Sequence, residues 1–305
     1  MRSRGGQLVA APSENPPIET EAPAGRRGVL RGLFRKPRFV IPATIVVLVC
    51  LIAAFPALFS GWFGNGDPHV CALGNSGLGP RAGHPFGFDI QGCDLYANVI
   101  YGARNSISIG LLTTALTLIV AITLGALAGY FGGVVDLMIS RVMDVFFGFP
   151  TLIGMIVVLE TFPVHSVVSV SLVLALFSWT VLTRVMRSSV LAKKNLSYIT
   201  AARGLGAGPF RILLRHILPN SVTPVAVLAS LNIGAVITAE SALTFLGVGL
   251  KAPSISWGVQ LNTAQEYFTT DFHLLLFPAL FLIITVLAFV LLGDFLRDEF
   301  DPELR

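Results

Sequence analysis

Three stretches of the 305-residue chain carry residue types and spacings that could do chemistry. Glu240, Ser241 and Thr244 place a carboxylate and two hydroxyls inside an apolar run, with 240 and 244 on one face at helical spacing. A carboxylate there either lines or gates a pathway or is bonded to a neighbouring helix. Gly74-Asn75-Ser76-Gly77 is a short G-x-S-G pattern in which a serine could act as nucleophile. Such a serine needs a histidine base within hydrogen-bond reach, yet none of His69, His84, His165, His216 or His273 sits centrally in an apolar run. The third stretch, YITAARGLGAGPFRILLRHILPN at 198–220, holds Arg203, Arg211 and Arg215, no acid, and Gly204, Gly206 and Gly208 close together. It is not a phosphate loop. The chain contains no G-x-x-x-x-G-K-[ST] and no H-E-x-x-H, so it is expected to hold neither nucleotide nor metal.

The basic stretch reads as two short helices joined by a break. Residues 196–203 form the first, and Gly204-Leu205-Gly206 ends it because glycine tolerates the positive φ of a turn. Pro209 suits the first turn of the second. Phe210, Leu213, Leu214 and Ile217 make one apolar stripe with Arg211 and Arg215 beside it, and Pro219-Asn220 is expected to end the helix. Small residues at the tip allow close backbone approach to a partner's groove, and the arginines can meet an acidic rim. The alternative is an amphipathic helix resting on lipid headgroups.

The elements that must position these residues are set by apolarity. Hydrophobic residues make up 54% of the chain and charged residues 12%, where a soluble domain carries about 25% charged. The apolar runs do not alternate in polarity, which excludes barrel strands and leaves helices that satisfy their own backbone. Six spans are expected, near 40–59, 107–130, 137–159, 167–186, 222–245 and 274–292, each close to the ~20 residues a bilayer requires. Residues 1–36, rich in Pro, Glu, Gly and Arg, read as a disordered tail. The run after it is too long for a cleaved signal peptide and reads as an uncleaved first span.

Basic residues are concentrated before the first span, at Arg141, between 184 and 215, and at Arg297 and Arg305. The opposite side holds only Arg81, Arg104 and Lys251, so the positive-inside rule puts both termini in the cytoplasm. The net charge of +4 reflects this topology and calls for no nucleic acid. Asp144 pairs with Arg141 one turn earlier and anchors the third span near the cytoplasmic face. The outer loop, 61–105, contains Asp89, Asp94 and Arg104, which either contact an external partner or pair locally. Cys71 and Cys93 share that loop, as a disulfide or as two free thiols, while Cys50 sits in the first span as a small buried residue.

The basic stretch resembles the cytoplasmic coupling loop of ABC-importer permeases: E-A-A, three residues, G, nine residues, I-x-L-P. Here the pattern reads Thr200-Ala201-Ala202, then Gly206, then His216-Ile217-Leu218-Pro219, with every spacing kept. Thr200 replaces the usual acid and His216 the usual isoleucine. HPFGFDIQGCDLYANVIYGARNSISIG at 84–110, ESALTFLGVGLKAPSISWG at 240–258 and LLGDFLRDEFDPELR at 291–305 are similar to the dipeptide and oligopeptide branch, with Cys93 in place of that branch's arginine. That departure adds weight to a local bridge with Cys71.

The resemblance implies an all-α polytopic membrane protein with the type I ABC-importer permease fold, whose six spans form half of a twelve-helix pore in the bacterial inner membrane. It implies a non-catalytic transport subunit for di- or oligopeptides. Its partners would be a homologous permease, ABC ATPase subunits that hold ATP and Mg, an extracytoplasmic peptide-binding protein and membrane lipid. It assigns ATPase coupling to Thr200, Ala201, Ala202, Arg203, Leu205, Gly206, Arg211, Arg215, His216 and Pro219. A nickel-chelate permease reads much the same. An ion-coupled secondary transporter using Glu240 is the alternative from another class.

Overall fold

The computed structural model describes residues 36–300, apart from the side chain of Phe300. Most of the expected tail at 1–36, and residues 301–305, lie outside the described residues. The regular structure among the described residues is helical, with a few isolated β-bridges in the outer loop. Helix α1 is Pro37–Ala54 and α2 is Pro56–Ser60; α3, Leu95–Phe131, is followed by α4, Gly133–Gly148, and α5, Thr151–Glu160. Then come α6, Val167–Lys193; α7, Ser197–Gly204; α8, Pro209–Ile212; α9, Leu218–Phe245; α10, Trp257–Ala264; and α11, His273–Phe300. Five stretches are long and apolar enough to cross a membrane, and a sixth is counted if α4 and α5 together make one span. The chain is an all-α polytopic membrane protein.

Close helix packing is written into α3. Thr113, Thr117, Ala121, Gly125 and Gly129 recur every fourth residue and are all buried. A Cβ on Gly125 would lie 2.6 Å from Met186 Cβ, and one on Gly129 2.8 Å from Val190 Cβ. Only small side chains let the α3 and α6 backbones approach this closely, which is how helices associate when lipid supplies no hydrophobic drive. A second row, Gly102, Ser106 and Gly110, faces the outer part of the fold. A Cβ on Gly110 would lie 2.6 Å from Ile237 Cγ1 of α9, and Ser106 Oγ accepts from Trp257 N at 3.3 Å. The indole of Trp257 is fully buried and donates to Val99 O at 2.9 Å, pinning α10 onto α3.

Three expectations need correction. The second span starts at Leu95, twelve residues before the expected 107, so the outer loop ends at 94. Its 37 residues measure about 55 Å, longer than the ~30 Å hydrocarbon layer. The first turns are therefore buried within the outer cap, which is why polar Asn98 is tolerated there. The third span is not continuous: α4 and α5 meet at a 91° bend. Phe149 is extended (ψ 136°), as the residue before a proline is driven to be, and Pro150 contributes no N–H to carry the helix through. Finally, Pro219 does not end the second loop helix. A π turn, Leu213–Ile217, joins α8 to α9, and Leu218 N donates back to Leu213 O. The widened turn makes room for the Pro219 ring, so one helical path runs Pro209–Phe245.

Candidate functional site

The basic stretch folds into an exposed turn standing on a buried base. Ile199, Ile212, Leu213 and Ile217 are buried against Ala121, Leu182, Met186 and Val190 of the α3–α6 pair. Helix α7 closes with Leu205 N on Ala201 O (3.0 Å), Gly206 N on Arg203 O (3.0 Å) and Ala207 N on Ala202 O (3.1 Å). Gly206 has φ +80°, a conformation open to glycine and strained for other residues. At this tip Leu205 is 89% exposed. Thr200, Ala201, Arg203, Gly206, Arg211, Arg215 and Pro219 share the exposed surface, while Ala202 and His216 are half-buried. Among the described residues Arg203, Arg211 and Arg215 make no ion pair, so three guanidinium groups stand free around an apolar knob. The loop's ends are tied together, because Lys193 Nζ donates to Asn220 O and Asn220 Nδ2 donates to His216 O at 2.8 Å.

Of the two readings of Glu240, a pathway residue or a bonded one, the packing of this chain fits the bonded one: Glu240, Ser241 and Thr244 do not face open space. Their exposures are 0%, 3% and 1%. The carboxylate accepts from Thr244 Oγ1 at 2.9 Å and Ser241 Oγ at 3.2 Å, and Thr244 Oγ1 in turn accepts from Leu250 N at 3.2 Å. A Cβ on Gly258 would lie 2.7 Å from Thr244 Cβ, so the segment after α9 folds directly over the group. His165 Nδ1 lies 2.9 Å from both Val248 O and Gly249 O and fastens that segment from the other side. These residues hold the outer end of the span together.

The outer-loop residues divide in the same way. Asp94 is fully buried and caps α3, accepting from Tyr96 N at 2.9 Å and Asn65 N at 3.3 Å, with His84 Nδ1 at 2.8 Å. Burial removes it from any outer contact. Asp89 Oδ1 accepts from Cys93 N (2.8 Å) and Gln91 N (2.9 Å). Burial raises its pKa, and those backbone N–H groups, with that of Gly92, pull it back. Arg104 stands exposed on α3, with no partner among the described residues. Cys71 and Cys93 are joined by a disulfide with Cα atoms 4.0 Å apart. The hydroxyl of Ser76 donates to Ile90 O at 2.7 Å, as a loop brace.

Pattern reasoning missed an ionic seam between α4 and α6. Arg187 grips Asp136 with two nitrogens, Nη2 at 2.6 Å from Oδ2. Arg184 Nη2 reaches Asp144 Oδ1 at 3.3 Å, alongside the expected Arg141–Asp144 pair at 3.7 Å. The partners are 40 to 51 residues apart, beyond any local spacing rule.

Residues 121–305, which contain the exposed basic turn and both seam arginines of α6, match the family described as binding-protein-dependent transport system inner membrane component. The chain belongs to this family. A dipeptide transport system permease protein of Alkalihalophilus pseudofirmus is 32% identical to it over the full length of both chains. A glutathione transport system permease protein of Pectobacterium atrosepticum is 39% identical over 74% of this chain and 75% of its own. The dipeptide transport permease of Bacillus subtilis is 35% identical over 77% of this chain and 73% of its own. Family membership makes the chain a transport subunit of the membrane, consistent with its apolar helices.

Proposed function

We propose that the chain is the permease subunit of an ATP-driven importer for short peptides, forming half of the pore beside a second homologous permease. The single observation that carries this is the exposed turn at 197–219, an apolar knob ringed by unpaired arginines and footed on the α3–α6 core. Dipeptide and glutathione permeases among its relatives support the substrate class. ATP and Mg belong to separate ATPase subunits, and an extracytoplasmic binding protein delivers the peptide. Closure of the ATPases on ATP moves the knob. The rigid foot passes that motion to the spans, because only contacts that differ between two states can shift their balance. Lys36 at the start of α1 meets Glu299 at the end of α11 at 2.7 Å, so both ends of the described chain lie on one face. The basic turn makes that face cytoplasmic. The ion-coupled alternative loses its support with the enclosure of Glu240.

Gly206 supplies the test. A Cβ there meets nothing within 4 Å, so a large side chain would clash with no atom of this chain and, beyond the backbone strain of the positive φ, would act by projecting into the partner's space. Gly206→Trp is expected to reach the membrane but abolish both co-purification of ATPase subunits and peptide uptake. Gly206→Ala carries the backbone strain without the bulk and is expected to keep most uptake. Normal uptake by the tryptophan variant overturns the proposal.

A further inference from the structure

We propose that Arg141, Asp144 and Arg184 line the inner half of the translocation path and form a site for the peptide's carboxylate as it passes. The inference rests on the peptide-permease function proposed above.

Depth is the first observation. Helix α6 has 27 residues and so is about 40 Å long, and Arg184 lies about 13 Å from its Lys193 end. Asp144 lies about 16 Å along α4 from Gly133, and the two ends belong to the same face, since Lys194 Nζ donates to Gly129 O at 3.2 Å. A helix of that length set along the membrane normal overhangs a ~30 Å hydrocarbon layer by roughly 5 Å at each end, which puts Arg184, and Asp144 paired with it at 3.3 Å, about 8 Å inside it. Their side chains are nevertheless 50% and 54% exposed on this chain, and that of Arg141 is 75% exposed. A long arginine can snorkel to the headgroups, but an aspartate is too short. Lipid is therefore a poor neighbour for Asp144, and a watered path satisfies it.

Charge and geometry name the ligand. Two guanidinium groups share one carboxylate, each through a single nitrogen at 3.3 and 3.7 Å. The one hydrogen bond the two make among the described residues is Arg184 Nη2 to Asp144 Oδ1, so most of their donors remain available. Arg184 lies over the Phe147 ring, 3.9 Å from its centroid, which fixes the plane of its fork. The neighbouring Arg187–Asp136 pair is neutral, leaving the triad with one positive charge in excess. A peptide carboxylate complements that charge and can pair with a fork through two bonds. Asp144 keeps the hold weak enough for release, as a conducting site requires. The triad sits just below the 91° break, and interrupted spans are where transporters place substrate sites.

The test uses the full complex with its ATPases and binding protein in proteoliposomes. Arg184→Gln and Arg141→Gln are each expected to lower peptide uptake about tenfold, the loss of one charge-assisted hydrogen bond, with Arg184→Lys retaining most of it. Asp144→Cys, in a chain also carrying Cys50→Ser, is expected to react with a membrane-impermeant thiosulfonate from the cytoplasmic side. Added peptide should slow that reaction. Unchanged uptake in both glutamine variants, or a thiol that stays unreactive, overturns the proposal. So does a loss of uptake confined to vesicles with anionic lipid, which would make the ligand a headgroup phosphate. If the unaltered complex moves no peptide, the functional proposal falls first and the peptide carboxylate goes with it.

Discussion

Asp94 shows at the scale of one residue how a charged side chain can belong wholly to the frame. It joins the N-terminus of α3, the loop at Asn65 and the ring of His84 through one buried carboxylate. Helix capping contributes about 1 kcal/mol, and an orphaned buried donor costs about 1–3 kcal/mol more. Asp94→Ala is therefore expected to lower the apparent melting temperature of the purified complex clearly, and Asp94→Asn, which can still cap, to lower it less. Equal melting of all three proteins would show that the pair contributes nothing. Glu240 teaches the same lesson within the membrane. A lone acid in an apolar run suggests ion chemistry, but two hydroxyls from its own helix are sufficient partners.

At the scale of elements, the broken third span is the feature most open to measurement. Only Met143 of α4 is buried, and the Asp136 and Asp144 pairs tie that arm to α6, whereas Met155 and Leu159 bury α5 in the core; Val134 and Val157, one on each arm, are 72% and 62% exposed. The arms measure about 24 and 15 Å, so straightening the 91° bend would lengthen their span by about 10 Å. Pro150→Ala restores the missing N–H and frees Phe149 to become helical. Spin labels at 134 and 157, in a chain with Cys50→Ser, are expected to move apart by about that distance. An unchanged separation would show that packing on Phe177 and Trp179, against which Phe146 lies edge-on, sets the bend. The π turn beneath the basic knob is a second irregularity. It turns a proline that reads as a stop into part of one helical path from Pro209 to Phe245.

For the whole molecule, the Lys36–Glu299 pair closes the first helix onto the last and fixes the parity of the crossings. Alkaline phosphatase, which is active only outside the cytoplasm, is expected to be active when fused after residue 79 in the outer cap and inactive after 207 in the coupling turn. The reverse pattern would invert the molecule and place the knob out of reach of any cytoplasmic ATPase. In the proposed orientation the disulfide Cys71–Cys93 falls on the outer side, as an oxidising compartment allows.

Apolarity and local spacing alone determined that the chain is helical and membrane-spanning, where most spans run, and where the basic helix pair and its turn stand. These properties depend on hydration and on contacts within a few residues: Gly206 turns because it lacks a side chain, and Pro209 starts a helix because its φ is preset. Tertiary structure decided what depends on residues distant in sequence. Arg184 and Arg187 find their acids 40 and 51 positions away, on a helix whose approach no local pattern encodes. Glu240 is enclosed by a segment that returns through Gly249 and Gly258, and whether a polar group is lining or frame turns on that return. The bend at Phe149 and the passage through Pro219 were each signalled by a proline. Proline removes one bond from a helix, and the surrounding packing decides whether the helix breaks, as at 150, or widens and continues, as at 219.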